Sequence, residues 1–127
     1  MRKQGFTLVE IMIVVSIIAL LAAIAIPNLL RSKIESNQTS AQATLKAISN
    51  ALENYMGANT QYPTNPSLLL SATPPYLNQD FFAATHSGYT FTHNLAAYSY
   101  TVTAVPLTAV QGNYSYSVVT GGYMSKN

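Results

Sequence analysis

Glu10 makes the strongest chemical demand of any residue in this sequence. It is a carboxylic acid at the head of an apolar run, Ile11 to Ile26, interrupted only by Ser16 and closed by Pro27. A carboxylate in hydrocarbon costs about 2.5–3.5 kcal/mol on insertion scales, so such a group normally has a partner and a purpose. Other chemistry-bearing side chains are sparse. His86 and His93 are the two histidines, both near turns in Thr/Ser-rich surroundings with no cysteine or nearby glutamate, which disfavours a zinc set. Asp80, with Asn78 nearby, offers too few oxygens for calcium, which takes roughly six to eight. No glycine-rich phosphate loop or nucleophile elbow is present. The acids are Glu10, Glu35, Glu53 and Asp80, which leaves no carboxylate pair in the C-terminal half. The chain reads as a non-enzyme with no cofactor and no metal site.

The element that positions Glu10 is an apolar helix. Phe6 to Ile26 is 21 residues, roughly 32 Å at about 1.5 Å per residue and close to a hydrocarbon thickness of about 30 Å. The segment can span a bilayer. A secretory signal has a shorter apolar core followed by a small-residue cleavage site. Ala22-Ala23-Ile24-Ala25 imitates such a site, but cleavage there would discard Glu10. Arg2 and Lys3 precede the span while Arg31 and Lys33 follow it, so the positive-inside rule favours a cytoplasmic N-terminus only by a small margin.

Beyond Pro27 the pattern changes. Ala41, Leu45, Ile48, Leu52, Tyr55 and Met56 fall at helical spacing with polar residues between them. Gly57 is expected to end the helix. The first half of the helix is apolar all round, to be surrounded by lipid or by other copies. The second half is amphipathic and leans one face on a domain. Pro27 interrupts the run, because its ring clashes with the carbonyl of Ala23 and it donates no amide. It also biases Ile26 away from helix. A kink, a boundary between two helices, and a point where the helix stretches are all compatible with it.

Composition narrows the classes further. Of 127 residues only 8% are charged, against the usual quarter. There are nine tyrosines, no tryptophan and no cysteine, so no disulfide framework exists. Without Arg2 and Lys3, the four bases Arg31, Lys33, Lys46 and Lys126 balance the four acids. No basic stripe is available for a phosphate backbone, and nucleic-acid binding is disfavoured.

Residues 57–87 show no clear periodicity. Tyr62-Pro63 and Thr73-Pro74-Pro75-Tyr76 are turn and extended signals, with a short helical turn at Ser67–Leu70. Three strand candidates then alternate apolar with Ser and Thr: Tyr89 and Phe91; Tyr98, Tyr100, Val102 and Ala104; Tyr114, Tyr116 and Val118. An antiparallel meander suits their short loops. Its aromatic and aliphatic face would cover Leu45, Ile48 and Leu52, and its Ser/Thr face would meet water.

Gly5-Phe6-Thr7-Leu8-Val9-Glu10, the basic leader before it and the apolar run closed by Pro27 together resemble the N-terminal signal of type IV prepilins and type II secretion pseudopilins. The resemblance covers residues 1 to about 57. It implies an α+β, type IV pilin-like fold, with a long N-terminal helix packed on a small antiparallel meander. The implied parts are a leader, 1–5; a transmembrane and filament-core half of the helix, 6–27; its amphipathic half, 28–57; and a loop-and-sheet head, 58–127. A prepilin peptidase would cut between Gly5 and Phe6, and Phe6 would be N-methylated. Glu10 would pair with a neighbouring subunit's Phe6 amine, and Pro27 would mark a helix break. The implied product is a structural filament subunit for adhesion or motility. It would be single-pass in the bacterial inner membrane, bathed in lipid with its head outside the cytoplasm. It would then enter a homopolymer at the cell surface through pilus or secretion assembly machinery. Two alternatives stand beside this: a pseudopilin of a type II secretion system, and a membrane-anchored extracytoplasmic binding module with the Tyr/Ser/Thr sheet as its ligand face.

Overall fold

The structure, a computed structural model, describes residue 1 and residues 5–127. The leader bases Arg2 and Lys3 lie outside the described residues. The elements are α1 (Leu8–Asn59), α2 (Ser67–Ser71), β1 (Tyr89–Ala96), β2 (Ser99–Pro106), β3 (Tyr116–Val119) and β4 (Tyr123–Lys126). The chain forms two compact units, Met1–Lys33 and Ile34–Asn127.

In the first unit every residue from Phe6 to Ile26 is exposed except the half-buried Ala22. This helix is long and apolar enough to cross a membrane. The two serines of this unit bond to their own helix: Ser16 Oγ donates to the Met12 carbonyl at 2.7 Å and Ser32 Oγ to the Asn28 carbonyl at 3.0 Å. Pro27 lies inside α1, with helix on both sides, so no break appears there. The proline takes one amide out of the ladder, and the flanking turns carry the helix through.

The second unit is the head. Ala41, Leu45, Ile48, Ala51 and Leu52 are buried on one side of α1. Against them lie the inward residues of the sheet: Tyr89 and Phe91 of β1, Tyr100, Val102 and Ala104 of β2, and Tyr116 and Val118 of β3. A helical period thus meets a strand period of two, as the sequence predicts. The strand order is β1-β2-β3-β4 with every neighbour antiparallel, which makes the sheet the expected meander. From the connecting segment Tyr62, Leu69 and Leu77 join the same core. The amides of Tyr76 and Leu77 both donate to the Leu69 carbonyl, at 2.8 and 3.1 Å, which folds that segment back so that both leucines face inward.

Two expectations are corrected. Gly57 does not end the helix, which runs on to Asn59. Thr60 takes the left-handed conformation, φ 63°, and its amide bonds to the Met56 carbonyl at 2.8 Å, an αL cap. The side chain of Asn59 donates to the Tyr55 carbonyl at 3.0 Å and steadies the added turn. The sheet also has a fourth strand. Gly121 and Gly122, φ 83° and 75°, turn the chain back on β3, and β4 follows. Tyr114 falls outside β3, and the ammonium of Lys126 stands 3.5 Å over its ring.

Candidate functional site

The first candidate site is the start of α1. Thr7 precedes the first helical residue and Glu10 is the third residue of the helix. The Glu10 amide donates to Thr7 Oγ1 at 3.2 Å, and the Thr7 amide donates back to Glu10 Oε2 at 2.7 Å. Thr7 Oγ1 also donates to Glu10 Oε2, at 2.8 Å. This is a capping box, Thr-x-x-Glu. It satisfies two of the amides that a helix start leaves unpaired. Residue types and spacing at Thr7 and Glu10 already carry this signal, although the apolar run beside them draws attention to a partner outside the chain. The acid therefore has a local role. Oε1 makes no hydrogen bond among the described residues. Phe6, 85% exposed, and Glu10 line one hollow of about 350 Å³ with Ile11, Ile13 and Val14. Gly5, also exposed, has open space where a side chain would stand.

The second centre is Glu53, which sequence reasoning leaves as one more acid on the helix. Its Oε1 accepts from the Tyr100 hydroxyl at 3.0 Å and from the Gly121 amide at 2.8 Å. The Tyr62 hydroxyl donates to both oxygens, at 3.1 and 3.0 Å. Tyr100 gives its single proton to the carboxylate, so Ser49 Oγ, 2.9 Å away, donates to the Tyr100 oxygen. Ser49 is only 3% exposed. Burial first, then the hydrogen bond to Glu53 and its charge, push the Tyr62 phenol up to about 12. Burial likewise raises Tyr100, against which the Ser49 bond works. Burial beside Tyr116 raises Tyr89. The node joins α1, the segment after it, β2 and the β3–β4 turn. Its chemistry is that of a structural tie: a carboxylate that only accepts, held by phenols kept protonated.

The remaining candidates stay apart. His93 packs edge-on against Phe82 at 4.7 Å, and His86 against Phe81 at 5.3 Å. Asp80 Oδ1 accepts from the Phe82 amide at 2.8 Å and so shapes its own turn. Among the described residues no three of His, Cys, Asp or Glu converge on a point that could hold a metal.

A long helix that is apolar and exposed at one end, capped by Thr7 and Glu10 and packed at the other on a four-stranded meander, defines the pilin-like class of subunit. Known proteins agree. Residues 1–26 match the family described as the prokaryotic N-terminal methylation motif. The type II secretion system core protein G of Vibrio cholerae is 48% identical over 65 residues, covering 50% of this chain and 44% of that protein. The type IV major pilin protein of Myxococcus xanthus is 46% identical over 61 residues, covering 48% and 28%. The match thus spans less than half the length of either relative. The type IV wide pilus major component of Thermus thermophilus is 37% identical over 92 residues, covering 69% of this chain and 70% of that protein. The chain belongs to the superfamily of type IV pilins and type II secretion pseudopilins.

Proposed function

We propose that the chain is the structural subunit of a type IV pilus-like filament and not an enzyme. A prepilin peptidase cuts between Gly5 and Phe6, and the new Phe6 amine is methylated. The subunit waits in the bacterial inner membrane with its head outside the cytoplasm. Assembly machinery there transfers it into the filament, where apolar helices of many copies form the core. One observation carries this reading: the helix from Leu8 to Ile26 is apolar on all sides but for Glu10 and Ser16, and it is exposed except at the half-buried Ala22, so it needs lipid first and other copies afterwards.

Glu10 then has two tasks, to cap its own helix through Oε2 and to receive a neighbour's Phe6 amine at Oε1. A buried pair does not guarantee net stability, but losing one member strands the other at about 3–5 kcal/mol. The pair thus sets register among otherwise slippery helices. Pro27, one amide short, is where the helix stretches most easily as copies pack.

The likeness of half of the chain to secretion core proteins G favours a second reading, a pseudopilin that polymerises within a secretion system. N-terminal sequencing and shearing test both. The filament reading expects mature chain beginning at Phe6, uncleaved precursor for Gly5→Leu, and sheared surface material that pellets as polymer. Deletion that stops export of secreted enzymes while no polymer is sheared off selects the pseudopilin. A mature N-terminus near Ile24 or Ile26 sinks both.

A further inference from the structure

The face of the sheet turned away from α1 has an order that its composition alone does not reveal. Thr92 stands opposite Thr103, Thr103 opposite Ser117, and Ser117 opposite Ser125. Each strand supplies one hydroxyl to a single row. At a strand spacing of about 4.8 Å that row is roughly 14 Å long. Beside it runs a second row, Asn94, Thr101, Val119 and Tyr123, in the same register. Tyr123 is 76% exposed at the end of it.

No charged side chain belongs to either row. The one charge of β4, Lys126, lies on the inward side over Tyr114, and β3 carries none. Several hydroxyls are already oriented. Thr92 Oγ1 leans towards the Thr103 carbonyl at 3.5 Å, Thr90 Oγ1 donates to the Val105 carbonyl at 3.2 Å, and Ser117 and Ser125 share a hydrogen bond at 2.7 Å. A hydroxyl whose proton is committed within the sheet presents its lone pairs outward as acceptors. The two rows are therefore uncharged, with lone pairs facing outward at Thr92 and at one of Ser117 and Ser125, further hydroxyls free beside them, and one open aromatic ring at the edge. Their neutrality suits neither a polyanion nor an anionic lipid surface, both of which need cationic groups. It matches a neutral polymer that carries many hydroxyl donors at regular intervals.

We propose that this hydroxyl ladder binds a neutral polysaccharide, laid across the strands from β1 to β4 with one sugar ring stacked on Tyr123. The contact needs only a single folded head, so the proposal does not depend on the chain forming filaments.

The test is co-sedimentation of the full chain, held in phosphatidylcholine nanodiscs, with cellulose powder and separately with chitin powder, at low and high salt. The two powders distinguish a plain glucan from an N-acetylated one. Thr103→Val combined with Ser117→Ala removes two hydroxyls from the middle of the row, and Tyr123→Ala removes the ring from an exposed position. Thr108→Val, exposed and off the face, is the control, and near-ultraviolet circular dichroism confirms folding of each variant. The expected result is binding to at least one powder that high salt leaves unchanged. The apparent Kd should rise about tenfold or more in the double variant, rise also for Tyr123→Ala, and stay unchanged for Thr108→Val. Failure to bind either powder, binding that salt abolishes, or full binding by folded Tyr123→Ala and the double variant would each overturn it.

Discussion

The backbone amide of Gly121 donates to Oε1 of Glu53 at 2.8 Å, across 68 residues of sequence. A carboxylate on α1 thereby holds the turn between β3 and β4, and the same oxygen takes the Tyr100 hydroxyl of β2. The chain has no cysteine with which to tie these elements. Hydrogen bonds to a charged group contribute about 1.5–3 kcal/mol each, and a buried donor left without a partner costs about 1–3 kcal/mol. Glu53→Ala takes the acceptor from two buried phenols, Tyr62 and Tyr100, and leaves the exposed Gly121 amide to water.

Glu53→Ala should therefore cost at least about 2 kcal/mol. For a head of this size that is a fall of roughly 10 °C or more in the thermal midpoint. Glu35→Ala, on an exposed turn of the same helix, should shift it little. The readout is near-ultraviolet circular dichroism of the tyrosines, which follows the head and not the anchor. Equal midpoints for the two variants would remove Glu53 from its place as a tie.

Alkaline pH attacks the same node. Tyr62 has its phenol raised from 10 to about 12 in the fold, and Tyr100 and Tyr89 are raised as well. A raised pKa means that the folded chain keeps its proton to higher pH than the unfolded chain does. The stability these tyrosines contribute is complete below about pH 10 and is lost as pH climbs towards 12. Thermal midpoints measured across that interval should fall steadily. Tyr62→Phe should start lower but lose less between the two ends, because it no longer carries the group that titrates there. Parallel curves for parent and variant would contradict this account.

The two periodicities of the chain are what made its fold legible. Leu45, Ile48 and Leu52 keep the helical spacing, while Tyr100, Val102, Tyr116 and Val118 keep the strand spacing, and all of them are buried. β4 was not legible, because all four of its residues are exposed and no alternation marks it. Gly121 and Gly122 read equally well as an end or as a turn. The cap at Thr7 and Glu10 was written in local spacing, three residues apart. The Glu53 node was not, since its partners lie 9, 47 and 68 residues away and only the folded sheet brings them together. The hydroxyl row is legible as Ser/Thr alternation, but its alignment across four strands depends on register.

Leu52 tests the packing of helix on sheet. It is 1% exposed within the single core cluster. Leu52→Ala should cost about 2–5 kcal/mol through lost transfer and the cavity left behind. The expected outcome is a large fall in the tyrosine-monitored midpoint together with faster proteolysis of the head. Leu68→Ala is the comparison, because Leu68 is 39% exposed and should be nearly silent. A Leu52→Ala melt that overlays the parent would mean that this face of α1 does not carry the sheet.

Glu10 has two roles that substitution can separate. Glutamine can take the reciprocal place in a capping box, so Glu10→Gln keeps the cap and removes the charge. Thr7→Val does the reverse: it removes the side-chain acceptor for the Glu10 amide and leaves the carboxylate. Glu10→Ala removes both. Losing a cap costs about 0.5–2 kcal/mol, whereas stranding a buried charged partner costs about 3–5 kcal/mol. If the inter-subunit pair governs assembly, all three variants insert and are cleaved. Sheared filament yield is then low for Glu10→Gln and Glu10→Ala but near that of the parent for Thr7→Val. If the cap governs, the order reverses, with Glu10→Gln assembling and Thr7→Val failing. Normal yield from Glu10→Ala would discard both roles and leave the acid to recognition by the peptidase.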